Sequence, residues 1–149
     1  MPWCRVIHFI EMGERMAKSK MDAPTIFGRL RDILSKHAGS LSVKSDTPAY
    51  FCLEGTTGPS TVRVWKGKLR SPKIPVAWVK VGKSYVSYHL MGLYGNPALS
   101  KAISKGLKTR MQGKTCFNFS TTDDALFAEL DKLTGQSIEA FKKEGYIAD

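Results

Sequence analysis

VAWVKVGKSYVSYHLM, running from Val76 to Met91, is the stretch that decides the fold. Two segments rich in β-branched and aromatic residues, Val76 to Val81 and Ser84 to Met91, flank Gly82-Lys83, and that arrangement predicts a short hairpin. In the second segment Val86, Tyr88 and Leu90 share one parity, while Tyr85, Ser87 and His89 take the other. Period two is the signature of a strand with one face against a core.

Upstream, Leu41 to Lys44, Ala49 to Leu53 and Thr61 to Trp65 read as further strands separated by turn residues. Ahead of them Thr25 to His37 is an amphipathic helix: Ile26, Phe27, Leu30, Ile33 and Leu34 share one face, and Arg29, Arg31, Asp32 and Lys36 cover the other. Downstream, Asn96-Pro97 opens a helix over Ala98 to Ile103, which resumes from Ser104 to Arg110. Thr115 to Phe119 alternates as a strand. Thr122-Asp123-Asp124 caps a helix through Leu133, Gly135 ends it, and a last helix follows from Ser137 to Lys143. The order predicts one α+β domain: a mainly antiparallel sheet flanked by N-terminal and C-terminal helices.

Gly113-Lys114-Thr115 matches the end of a phosphate-binding loop. That loop needs its first glycine at position 108, where Lys108 stands, and a strand before it with a helix after it. The order here is helix, then strand. Gly113 reads instead as the left-handed residue that closes a helix.

The chain has 149 residues, room for one domain with a real core. Residues 1–22 lack steady periodicity and read as an N-terminal extension, with Met16 and Met21 as alternative starts; residues 23–149 form the domain. The early apolar run Val6 to Ile10 is too short to span a bilayer. Three cysteines, Cys4, Cys52 and Cys116, stand far apart without a C-x-x-C pair, which points to reduced thiols and a cytoplasmic location.

Charge is distributed unevenly. Met1 to Glu54 holds 8 basic and 6 acidic residues, Gly55 to Thr122 holds 12 basic residues and no acidic one, and Asp123 to Asp149 holds 3 basic and 7 acidic. The central lysines and arginines must either pair with the acidic C-terminal helices or present a positive face to solvent.

Tyr85-Val86-Ser87-Tyr88-His89-Leu90-Met91-Gly92-Leu93-Tyr94, then Arg110-Met111-Gln112-Gly113-Lys114-Thr115-Cys116-Phe117-Asn118-Phe119, then Asp123-Asp124-Ala125-Leu126-Phe127, resemble the YdhG-like domain family. The resemblance is best from Pro72 to Ile147, thinner from Leu30 to Leu69, and does not reach the N-terminal segment. It implies a compact α+β fold grouped with frataxin-like and CyaY-like proteins, and it implies no established reaction or catalytic residue. Frataxins bind iron through an acidic ridge on their first helix, so an iron or iron–sulfur handling role follows by fold analogy. Here that helix carries Arg29, Arg31 and Lys36 against Asp32 alone, and iron prefers clustered oxygen ligands.

Two sets of residues are candidate sites. Arg63, Trp65, Lys66, Lys68, Arg70 and Lys73 interleave cations with an indole, which suits stacking and phosphate contact in single-stranded nucleic acid, or an acidic protein. The blander reading is a solvated loop with Trp65 in the core. Arg110 and Lys114 flank Gly113 and suit a phosphate or carboxylate, or complement the preceding helix end. If their strands are neighbours, Ser87, His89, Cys116 and Asn118 share a face and form a small polar pocket. In that pocket Cys116 is either a thiolate activated by His89, the basis of a small Cys/His enzyme, or a buried thiol beside a hydrogen-bonded histidine. Metal-site spacing is missing from the scattered histidines and cysteines. The sequence thus predicts a cytosolic, non-enzymatic binding protein whose basic face takes an anionic ligand, nucleic acid or acidic protein. No cofactor, metal or membrane is expected.

Overall fold

The computed structural model describes residues 21–39, 41–65, 68 and 72–148. Up to position 20 the expected extension lies outside the described residues. Met21 already packs on the core.

Helix α1, Ala23–Lys36, starts where Asp22 accepts hydrogen bonds from the Thr25 amide at 3.4 Å and its hydroxyl at 2.8 Å. Strands β1 (Ser42–Thr47) and β2 (Tyr50–Thr56) follow as a hairpin. The next segment departs from expectation. Thr61 to Trp65, read as a strand, belongs to a short helix α2, Pro59–Trp65. Local alternation is overridden by tertiary bonds from the C-terminal tail: Ser60 N–H donates to the Gly145 carbonyl at 2.8 Å, its hydroxyl to Glu144 at 2.6 Å, and Thr61 Oγ1 to the Tyr146 carbonyl.

Strands β3 (Lys73–Val81) and β4 (Val86–Leu90) form the expected hairpin, with Gly82 N–H bonded to the Tyr85 carbonyl at 2.9 Å. A 3-10 turn, Met91–Gly95, leads into α3 (Pro97–Ala102) and α4 (Lys105–Lys108). Strands β5 (Met111–Gln112) and β6 (Cys116–Phe119) are joined by a turn in which Gly113 takes φ +79. Its left-handed backbone was legible, but it closes a hairpin and not a helix, which ends earlier at Lys108.

The last helix, α5, runs unbroken over Asp124–Lys143, capped by Asp123 accepting from Leu126 N–H at 3.1 Å. Gly135 therefore does not end it. The cost of a mid-helix glycine, about 1 kcal/mol, is outweighed by the buried side chains on both sides of it, among them Leu130, Leu133, Ile138 and Phe141.

The sheet is antiparallel throughout, in the order β1-β2-β3-β4-β6-β5. This is the α+β architecture expected, with helices from both ends of the chain on the sheet. Register sorts the faces. Phe51, Val79, Tyr88, Phe117 and Met111 are cross-strand neighbours in one row, buried or half-buried beneath α1 and α5. Tyr88, fully buried, keeps its hydroxyl satisfied by Thr134 Oγ1 at 2.6 Å. The 3-10 turn lies so close to α5 that a Cβ on Gly92 would sit 2.0 Å from the Ser137 carbonyl oxygen. A smaller core of Val76, Ile138, Phe141 and Ile147 closes the end near the tail. Among the described residues, no helix is long and apolar enough to cross a membrane.

Candidate functional site

The face of the sheet opposite the helices carries the other parity. Cys52, Trp78, His89, Cys116 and Gln112 are successive cross-strand neighbours across five strands, and Tyr50, Lys80, Ser87 and Asn118 form the adjoining row. The four polar residues expected to share a pocket are therefore side by side.

Their side chains form one connected chain of hydrogen bonds. Asn118 Oδ1 accepts from Ser87 Oγ at 3.1 Å and from Cys116 Sγ at 3.4 Å, while Asn118 Nδ2 donates to Gln112 Oε1 at 2.9 Å. His89 Nε2 lies 3.6 Å from Cys116 Sγ. The His89 ring stacks on the Trp78 indole, with centroids 4.6 Å apart and planes 15° from parallel.

Electrostatics decide what this pair does chemically. Burial, with Lys80 adding to it, pushes the His89 imidazole below its ordinary value. Burial pushes the Cys116 thiol up, and the Ser87 hydroxyl offsets only part of that. An activated thiolate requires the opposite directions. Both groups stay neutral at neutral pH, in the arrangement of a hydrogen-bonded thiol rather than a nucleophile. Tyr50 on the adjoining row is likewise pushed up to about 12 by burial and by Cys52.

A second feature lies at the end of the same face. A cavity of about 260 Å³ is lined by Val64, Trp65, Trp78, Met91, Tyr94 and Tyr146, with further apolar residues behind them. Trp65 is 52% exposed and Tyr94 55% exposed, so the indole stands at the cavity's mouth and not in the core, where the blander reading put it. Because Thr61 to Trp65 is helical, Arg63 and Trp65 do not share one face as the strand reading of that segment implies; Arg63 is exposed two residues before the indole on α2. Lys68, which is exposed, donates its backbone N–H to the Trp65 carbonyl at 2.9 Å. Lys73 opens β3 and donates from Nζ to Ser42 Oγ at 2.9 Å. Lys66 and Arg70 lie outside the described residues.

Trp78 joins the two features, lining the cavity while stacking on His89. On the far side, Arg110 precedes β5 and its carbonyl accepts the Asn118 amide at 2.7 Å, and Lys114 is exposed in the adjacent turn. The face thus runs from an aromatic cavity, through a stacked pair and an amide-rich row, to a basic margin.

The acids of α5 do not neutralise that margin. Asp124 pairs with Arg29 at 2.6 Å, and Asp131 pairs with Lys36 and, at 2.6 Å, with His37, next to the end of α1. Glu129 accepts from the Ser104 amide and hydroxyl. With Lys73 set aside, no lysine or arginine between positions 57 and 122 makes an ion pair among the described residues. Nor, among the described residues, does any group of three or more His, Cys, Asp or Glu side chains stand where it would hold a metal ion.

Trp78, Gln112, Tyr94 and Tyr146 were not singled out from the sequence. Trp78 had a signal: across a four-residue hairpin loop, Gly82 to Tyr85, it falls opposite His89. The cavity had none, since its walls come from distant segments. No family model matches the chain, and no curated protein or solved structure matches it either.

Proposed function

We propose that the protein is a non-enzymatic binding domain whose open sheet face and basic margin take an anionic ligand. One observation carries the reading. On the acidic helix Asp124 and Asp131 pair with α1 and its end, Glu129 accepts from Ser104 and Glu139 pairs with Lys142, and the described cations of positions 57–122 other than Lys73 are left without ion-pair partners among the described residues. An uncompensated positive surface of this kind raises the local concentration of anions and speeds their encounter. The neutral Cys116–His89 pair weighs against the enzyme reading. Membership among YdhG-like domains rests on the motifs from Tyr85 to Tyr94 and from Arg110 to Phe119, and the iron-handling analogy has no further support.

The test is a salt titration of binding to a labelled single-stranded oligonucleotide, with polyglutamate as a parallel probe. Binding through phosphates falls linearly with log salt, with a slope of about 0.7 for each phosphate neutralised. Arg110→Glu combined with Lys114→Glu is expected to weaken binding at least about tenfold. It should also flatten the slope by about 1.4, because two phosphates are no longer neutralised. Absence of binding to both probes at low salt would sink the proposal.

A further inference from the structure

We infer that the cavity beside Trp65 receives an unpaired base of a single-stranded nucleic acid, whose phosphates lie against the cations flanking Trp65 in the chain. This rests on the anion-binding reading and adds the identity of the anion.

Shape comes first. The volume, about 260 Å³, admits one planar ring system and little more. An engineered cavity of about 150 Å³ already takes benzene, so a monocyclic or bicyclic base fits. Two of the walls, Trp65 and Tyr94, present aromatic surface to solvent, and Trp78 and Tyr146 add two more rings to the lining. Rings of this kind stack with every base, because each base has a π-face.

Charge then selects among flat ligands. Aromatic walls also suit quaternary ammonium groups. Among the described residues, however, no carboxylate lines this cavity, and Arg63 and Lys68, close in the chain to the lining residues Val64 and Trp65, are exposed and have no ion-pair partner. That field disfavours a cation and favours a ring tethered to an anion. A nucleotide is such a ring.

Continuity supplies the third argument. From the cavity the surface passes directly to the Trp78–His89 stack and then to the Asn118 and Gln112 amides, with Arg110 and Lys114 beyond. A strand entering at Trp65 thus meets stacking surface, amide donors and acceptors, and cations in turn. Duplex DNA or RNA cannot use the cavity, because its bases are already stacked and paired.

The experiment compares a fluorescein-labelled thymidine 12-mer with an abasic 12-mer of equal charge, by anisotropy, against the full chain and its Trp65→Ala and Tyr94→Ala variants. The expected result is binding of the thymidine strand about tenfold or more tighter than the abasic one, at the same salt slope, since stacking on a ring is worth roughly five- to hundredfold per base. Each variant should erase most of that preference and leave abasic binding unchanged. Both residues are more than half exposed, so their loss leaves the core intact. Equal affinities for the two strands would overturn the inference while leaving the anion-binding reading in place. Polyglutamate bound as tightly as the thymidine strand would overturn it in favour of an acidic polypeptide, and no binding of any probe would overturn both.

Discussion

Phe117 and Cys116 are chain neighbours on β6 that face opposite sides of the sheet, and they live in different environments. Phe117 is fully buried, in a row with Tyr88, Val79 and Phe51 under the two long helices. Cys116 is half-buried, in a row with His89 and Trp78 that those helices do not cover. One face holds the molecule together. The other leaves its stacked rings and amides half-exposed. Phe117→Ala is therefore expected to cost about 3–5 kcal/mol, as truncation of a buried aromatic does. Cys116→Ala should cost about 1 kcal/mol or less, the scale of one exposed-to-buried methylene. Urea denaturation of the two variants measures the contrast, and equal losses would show that the open face is part of the core.

A pH series sharpens the same comparison through His89. Its folded-state value is depressed below the ordinary 6.5, by burial first and Lys80 second. As pH falls, the unfolded chain therefore takes up this proton before the folded one does. Stability contributed by the neutral ring is complete above about pH 6.5 and declines as pH drops from there toward the folded value, below which it is flat. Asp131 acts in a lower window. Burial works to raise its carboxyl, but Lys36 and His37 outweigh that and hold it below 3.8. Its contribution is present above that value and is lost as pH falls through its folded value. His89→Gln is expected to remove the decline near pH 6 and leave the acid one. Identical curves for variant and parent would mean that the imidazole is not desolvated in the fold.

Much of this contrast was legible from alternation alone. Val86, Tyr88 and Leu90 sort cleanly from Ser87 and His89, and the same parity puts Cys116 and Asn118 beside them, because side-chain period in a strand is fixed by the pleat. The misreadings share a cause. Thr61 to Trp65 looks like a strand locally, yet bonds from Ser60 and Thr61 to Glu144, Gly145 and Tyr146 hold it as a helix turn. Gly135 looks like a stop, yet the side chains on both sides of it pack in one helical register. In each case long-range contacts outweigh a local preference of about 1 kcal/mol. The cavity depends on both of these outcomes, since α2 supplies its mouth and the end of α5 with the tail supplies its floor. No local pattern encodes that meeting.

The smallest effect separates the two populations of cations. On α1, Arg29 and Lys36 have carboxylate partners on α5, and Arg31 makes a two-pronged contact with Asp46 at 3.1 and 2.7 Å. Lys105 and Lys108, on the carboxylate-free stretch, have no such partner among the described residues. Surface substitutions of either kind should stay within about 0.5 kcal/mol, so the sign carries the information. Asp131→Asn should lower stability at low salt, because it strands Lys36 and His37 beside a neutral side chain. Lys105→Gln with Lys108→Gln should leave stability unchanged or raise it slightly, since two repelling charges are removed from a chain of net charge +10. Both effects should fade by about 1 M salt, where the screening length is only about 3 Å. If the lysine double variant instead loses stability at low salt, those charges have partners in solution. The uncompensated margin on which the proposed ligand binding rests would then be smaller than the fold indicates.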